Sequence, residues 1–361
     1  MAKQSLLADF HRLRNALFDE QNGWTLPLHY GDSAAEYAAV RTTAGLIDLS
    51  HRALLQFTGD DRLTFLQGML SNDLRLLNTF EGHHATILSQ QGKVLADVRV
   101  LCAMNSVYLD FWDELKDKIL AHLNRYLVAD EVEIADRSEE YATLSLQGPS
   151  SEAIVMDLAA DAELPKQVGH HAMFNAGGAA ICVVRDSYTG ESGFDLIIPR
   201  AGTLKIAERL SKIGEQFGAR WVGQEALETL RIEAGIPRYG TDITEDNLLL
   251  ETGLETHVSF TKGCYLGQEI VERVRSRGHV NRKLRGLLIE GATPVAHGDA
   301  IKAGEKQVGT ITSSVYSPGR SRPIALGYVH RDQWDSGTRL TVDRDGASVS
   351  AEVTDLPFVK R

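Results

Sequence analysis

Apolar positions along the chain follow two periods. In GDDRLTFLQGMLSNDL, opened by Asp60 and Asp61, Leu63, Leu66 and Leu70 fall on one helical face with Phe65 and Met69 beside them. Trp112, Leu115, Ile119, Leu123 and Tyr126 predict a second amphipathic helix. QGPSSEAIVMDL opens a third, with Pro149 suited to a first turn, and QEALETLRIEAG gives a fourth, closed by Gly235 and Pro237. MAKQSLLADFHRLRNALFDE reads as a further amphipathic helix with Leu6, Leu13 and Leu17 inward. Strand-like runs lie between: Ala85–Ser89, Val94–Leu101, Ala142–Leu146, Ala179–Arg185 and Phe194–Pro199. Helices and strands are mixed without regular βαβ alternation, which predicts an α+β fold and not a doubly wound sheet.

Past Leu284 the pattern changes. LRGLLIEG, DAIKAG, KQVGTITSS, PIALGYVHR, TRLTVD and ASVSAEV are short strand-like runs separated by Gly, Pro, Asp or Ser. They predict a separate all-β C-terminal barrel or sandwich. No period of about 20–50 residues recurs, so a solenoid or propeller is not expected.

A length of 361 residues implies more than one domain, and 43% hydrophobic with 24% charged residues is the balance of a folded chain. A formal charge of −11 argues against general binding to nucleic acid or a membrane surface. Three cysteines, Cys102, Cys182 and Cys264, are too few and too scattered for a disulfide framework or a metal knuckle. Cys102 and Cys182 sit in apolar runs and read as structural. No apolar run approaches the ~20 residues of a membrane span, and the N-terminus has no signal core. A cytoplasmic protein with no membrane partner is expected.

The chain has no GxGxxG, Walker or HExxH motif, and TGESGF falls short of a nucleophile elbow. DRDGAS at Asp343–Ser348 reads as a hairpin turn, not a calcium loop. His83-His84 has no third ligand nearby in sequence, so no metal site is expected.

Three segments carry more chemistry. In DSYTGESGFDLIIP, Glu191 and Asp195 offer carboxylates that match the adjacent donors of an amidine-like edge, or else belong to a polar hairpin turn. In ALETLRIEAGIPRYGTD, Arg231 and Glu233 cannot share a helix face. Arg231 therefore pairs either with an anionic ligand or with a distant carboxylate. In TKGCYLGQE, Lys262 and Cys264 project to the same side of an extended segment, where an ammonium would favour thiolate. The alternative is an ordinary buried cysteine. Downstream, residues 270–285 hold six basic residues and one acidic one, and Arg273, Arg275 and Arg277 would form a basic face on a strand. Such a face suits RNA or a polyglutamate tail, or simply protects a sheet edge.

Together these segments resemble the glycine-cleavage T-protein superfamily, most closely its YgfZ branch of folate-binding proteins. TAGLIDLSHRALLQFTGDDRLTFLQGMLSND, LQGP, YTGESGFDLIIP, LRIEAGIPRYGTDI and GTITSSVYSPGRSRPIALGYV carry the likeness, and KGCYLGQE is the pattern of the YgfZ branch. The resemblance implies a three-lobed cloverleaf with tetrahydrofolate in a central opening. Its implied lobes are 1–50 plus 140–240, which would bind folate, 51–139 plus 241–283, which would carry KGCYLGQE, and the barrel 284–361. It carries Glu191 and Asp195 over as pterin-facing carboxylates, with Tyr188, Arg231 and Tyr239 as further folate contacts.

The function implied first is a tetrahydrofolate-binding accessory protein for assembly or repair of iron–sulfur enzymes, partnered by assembly or client proteins. Cys264 would be its working thiolate and Lys262 the group that lowers its pKa. Gly263, Tyr265, Gly267, Gln268 and Glu269 complete that motif. The alternative is a folate-dependent aminomethyltransferase or related one-carbon enzyme using Asp97, and a third reading is an RNA-modification-linked binding module. Where T-proteins place paired aspartates, QQGKVLADV has Ala96-Asp97, and where they read Ala-Arg-Asp this chain has Ala226-Leu227-Glu228.

Overall fold

The computed structural model describes residues 2–159, 162–344 and 346–360, without the Arg277 side chain. It divides into two compact units, one of residues 1–87 and 96–227, the other of residues 88–95 and 228–361. Among the described residues no helix is long and apolar enough to cross a membrane.

The first unit carries two large sheets and a small one, Lys3–Gln4, Trp24–His29 and Leu17–Gln21. Six strands run in the order His171–Ala176, Ala179–Arg185, Gly193–Pro199, Tyr141–Gln147, Gly45–Asp48 and Arg220–Trp221. Helices Ser151–Ala159 and Thr203–Phe217 lay Ile154, Leu158, Ile206 and Leu210 against Leu144 and Phe194 of that sheet. The longer helix stops where Gly218 turns left-handed (φ 74°), and its N–H donates back to the Gly214 and Glu215 carbonyls. The second sheet has the order Gly82–Leu88, Val94–Cys102, Val107–Trp112, Arg52–Thr58 and Glu133–Asp136. Leu54 and Leu101 of this sheet meet Val184 and Ile197 of the other in a small buried cluster. The mixture of helices and strands is the expected α+β class.

The six C-terminal runs become the six strands of a closed barrel: Arg282–Ile289, Ala300–Ala303, Lys306–Ser317, Arg322–His330, Arg339–Arg344 and Ala347–Thr354. Alternation sends Leu287, Ile289, Ile301, Ile311, Val342 and Val353 inward. The last two strands pair antiparallel from Arg339↔Glu352 to Arg344↔Ala347, as a hairpin at DRDGAS requires; Asp345 lies outside the described residues.

Two expectations fail. The N-terminal helix is only Ala8–Arg12, and Leu13 and Leu17 are 84% and 53% exposed. Leu17–Gln21 and Trp24–His29 instead pair as a hairpin, so the helical spacing of those leucines is incidental. The alternating arginines of the basic stretch lie on the helix Gln268–Arg277, not on a strand, and its last three basic residues lie on the strand Arg282–Ile289. Residues two apart on a helix point to opposite sides, so Arg273 and Arg275 share no face, and the Arg277 side chain lies outside those described. Arg275 instead packs over the Phe260 ring (4.3 Å) beside Glu272 (3.5 Å). On the following strand Lys283 and Arg285 pair with Glu255 and Asp355.

Phe194 is fully buried whereas Leu204 is half exposed. Phe194→Ala is expected to cost about 3–5 kcal/mol in chemical denaturation, and Leu204→Ala less than about 0.5 kcal/mol.

Candidate functional site

Arg99 is the largest side chain that the first unit buries completely. Its strand places it directly opposite Asp110, and its Nη2 donates to that carboxylate. Nη1 donates to Asp195 Oδ2 at 2.6 Å, from the interior strand Gly193–Pro199 of the other sheet, and to Asp186 Oδ2 at 2.9 Å, from the turn after Ala179–Arg185. The one guanidinium thus joins the two large sheets of the unit. Asp110 also accepts from Arg52 Nε (2.5 Å), and Tyr188 donates its hydroxyl to Asp195 Oδ2 (2.8 Å). Burial disfavours the Arg99 charge, but Asp110, Tyr188, Asp195 and Asp186 outweigh it and hold the group well above the usual arginine value. Burial pushes the Asp195 carboxyl upward, Arg99 pulls against that, and the Asp186 charge adds to it.

His84 Nε2 lies 3.2 Å from Asp186. Burial lowers the imidazole pKa, yet the Asp186 charge and hydrogen bond, with Asp97 also facing it, raise it overall. Asp186 is held below the ordinary carboxylate range, because His84 and Arg99 outweigh the effect of its burial. The arrangement is a partly open imidazole between two carboxylates at the mouth of a buried ionic cluster, which suits storing and moving a proton. Of these groups the sequence reading singled out Asp97, Tyr188 and Asp195. It missed Arg99, Asp110 and Asp186 and set His84 aside. The only signal for Arg99 was a charge inside the apolar run VLADVRVLC.

The remaining expected folate contacts are engaged within the chain. Glu191 pairs with Arg41 at 2.8 Å, both side chains under 9% exposed, and Arg41 also donates to the Thr189 carbonyl. Gly193 leaves room for this turn, since a Cβ there would sit 2.4 Å from the Asp186 carbonyl oxygen. Arg231 resolves to a distant carboxylate: Nη1 donates to Asp242 (2.7 Å) and the Ile236 carbonyl, Nη2 to Ser313, and the fork also grips Glu228. Tyr239 is buried, with its hydroxyl donating to the Val94 carbonyl (3.3 Å).

In the second unit, Lys262 and Cys264 do not share an environment. Lys262 is 5% exposed, its ammonium 5.1 Å from the Tyr265 ring centroid, whereas Cys264 is exposed. The segment is a loop, so the strand rule that put both on one side does not apply. Gly267 caps the next helix at φ 83°, and a Cβ there would meet the Ser89 carbonyl at 2.6 Å. Gln268 turns back to accept from the Tyr265 N–H (3.3 Å), and Glu269 lies in the first helical turn. Cys102 and Cys182 behave as structural thiols, pushed up by burial to about 11 and about 12.

A pterin's amidine edge needs two adjacent acceptors. Asp195 Oδ2 already takes Arg99 and Tyr188, and only its buried Oδ1 has no hydrogen-bond partner. The carboxylate is also fully enclosed. In this arrangement Asp195 does not fit a folate ring without release of Tyr188 or Arg99.

Two outcomes follow from the cluster. Arg99→Met leaves Asp195 without an ion-pair partner and Asp110 and Asp186 with only Arg52 and His84, and is expected to cost about 3–5 kcal/mol in equilibrium unfolding. His84, with its pKa raised above the ordinary 6.5, stabilises the fold fully below that pH, and the contribution fades as pH rises through the raised value. The gap in thermal midpoint between the intact chain and His84→Gln is therefore expected to be widest near pH 6 and to shrink on the alkaline side.

Residues 7–262 match the GCVT N-terminal domain and residues 282–360 the glycine cleavage T-protein C-terminal barrel domain. The chain is 32% identical to an aminomethyltransferase of Desulfitobacterium hafniense, over 99% of this chain and 98% of that one. It is 29% identical to an aminomethyltransferase of Bacillus subtilis with both chains covered in full. Its fold superposes on the crystal structure of the glycine cleavage system aminomethyltransferase T from Bartonella henselae with a TM-score of 0.91, at 26% identity, over 100% and 99% of the two chains. Matched over both of its domains, the chain belongs to the glycine cleavage T-protein family.

Proposed function

We propose that the chain is a tetrahydrofolate-dependent aminomethyl or related one-carbon transferase. The observation that carries the reading is end-to-end similarity to chains named aminomethyltransferase, at 32% identity with 99% and 98% of the two chains aligned. That similarity reverses the order set by the KGCYLGQE motif, which had put an accessory role first. Asp97 with His84 supplies an acid–base pair of the kind that releasing an amine requires. Folate would be the carbon acceptor, a substrate and not a fixed group. With Asp195 engaged by Arg99, it would be held by contacts other than that carboxylate.

The test is ammonia release from an aminomethylated carrier protein, with and without tetrahydrofolate. The intact chain is expected to turn over only with folate, and Asp97→Asn to lose at least about 100-fold. Absence of turnover in a chain that still binds folate would contradict the reading.

A second reading has its own support. Cys264 is exposed between two glycines, and Ala96 and Leu227 replace groups that the transferase pattern uses. These favour a YgfZ-type folate-binding protein supporting iron–sulfur enzymes. One thiolate cannot hold a cluster alone, so any cluster would be shared with a partner. Rescue of an iron–sulfur enzyme's activity in a strain lacking such a protein, by the intact chain but not by Cys264→Ala, would replace the transferase reading with this one.

A further inference from the structure

Asp186 is held from several sides at once. Its Oδ2 accepts from Arg99 Nη1 at 2.9 Å, and Oδ1 accepts from the Ser187 N–H at 2.8 Å. Its backbone is fixed as well: the Asp186 N–H donates to the Gly193 carbonyl (3.2 Å), and its carbonyl accepts from Gln147 Nε2 (3.2 Å). Asp186 is 4% exposed and Arg99 is fully buried, so neither has room to swing away. His84 Nε2 lies 3.2 Å from each oxygen of this pinned carboxylate.

His84 itself belongs to the edge strand Gly82–Leu88, and its carbonyl accepts from Asn72 Nδ2 at 2.8 Å. Its side chain is 24% exposed, so the ring reaches beyond the enclosed cluster. Asp97, on the adjacent strand Val94–Cys102, brings a carboxylate oxygen within 4.8 Å of a His84 ring nitrogen. The two carboxylates differ in kind, since Asp186 is enclosed and Asp97 is partly exposed. A buried, immobile carboxylate on one ring nitrogen fixes the orientation and tautomer of an imidazole, and leaves the other nitrogen for chemistry.

We propose that Asp186 is a positioning residue for the transfer: pinned by Arg99 and the Ser187 N–H, it holds the His84 ring beside Asp97, and His84 gives its Nδ1 proton to the departing amine. This rests on the transferase reading. The C–N bond breaks with its electron pair on nitrogen, and the nitrogen takes the His84 proton to leave as ammonia. Folate loses two N–H protons as the carbon bridges its nitrogens. One restores His84, and the other goes to the carrier atom that the carbon has left. Around the ring, Asp186 and Asp97 favour the imidazolium, whereas burial and Arg99 oppose it. Without the Asp186 charge, only Asp97 of these favours it, and His84 gives up its proton at lower pH.

Ammonia release by the full chain across pH, beside a nitrogen-15 NMR titration of the His84 ring, tests this. In the intact chain the rate is expected to fall on the alkaline side where His84 loses its proton, above the ordinary 6.5. The neutral ring is expected to keep its proton on Nε2, the nitrogen that faces Asp186. Asp186→Asn is expected to move both the alkaline limb and the His84 titration toward acid by at least about one pH unit. A merely structural role would lower the rate at every pH and leave the limb in place. Should that variant fail to fold, the tautomer of the intact chain decides. An unmoved limb in folded Asp186→Asn, or a neutral ring protonated on Nδ1 in the intact chain, would overturn the proposal. Absence of ammonia release at every pH would overturn the transferase reading and this proposal with it, a result distinct from turnover whose alkaline limb ignores Asp186.

Discussion

The first unit depends on one buried cation. Arg99 reaches Asp110 on its own sheet and Asp195 and Asp186 on the other, so a single guanidinium serves three buried carboxylates, two of them shared with Arg52 and His84. Around it the geometry propagates outward. Asp110 orients Arg52, Asp195 orients Tyr188, and Asp186 raises the His84 pKa. Apolar contacts between the two sheets are few at this point, with Leu54, Leu101, Val184 and Ile197 as the buried cluster beside the ions. The ionic cluster thus supplies the polar contacts between the sheets beside that small apolar patch.

The second unit repeats the device on a smaller scale. Asp242 accepts from Arg231, Thr312, Ser313 and the Arg238 N–H, tying the end of helix Gln224–Glu233 to the barrel strand Lys306–Ser317. Tyr328 donates to the Asp242 carbonyl from a neighbouring barrel strand. Residues that would serve as ligand contacts by motif are here supports of the scaffold.

Most of the fold could be read from the chain, because helices and barrel strands announce themselves through period and punctuation. The six barrel runs and the strands Val94–Cys102, Ala179–Arg185 and Gly193–Pro199 needed only local pattern. Leu13 and Leu17 misled because helical spacing recurs by chance in a short segment that a hairpin then claims. The basic helix misled because alternation of arginines says nothing about period when the intervening residues also fit a helix. The site was harder. Asp97, Tyr188 and Asp195 could be picked out, but the Arg99 that joins the cluster sits 87 residues from Asp186 and 96 from Asp195 along the chain. Pairing across that distance is a tertiary fact. For the same reason Asp195 read as an open carboxylate when it is a counter-ion.

The most direct test of this account is a double-mutant cycle between Arg99→Met and Asp195→Asn, measured by equilibrium unfolding of the full chain. A coupling of about 2–3 kcal/mol is expected if the pair is the counter-ion contact described here. A coupling near zero would mean that Asp195 stands independent of Arg99, and would return it to the set of carboxylates open to a ligand.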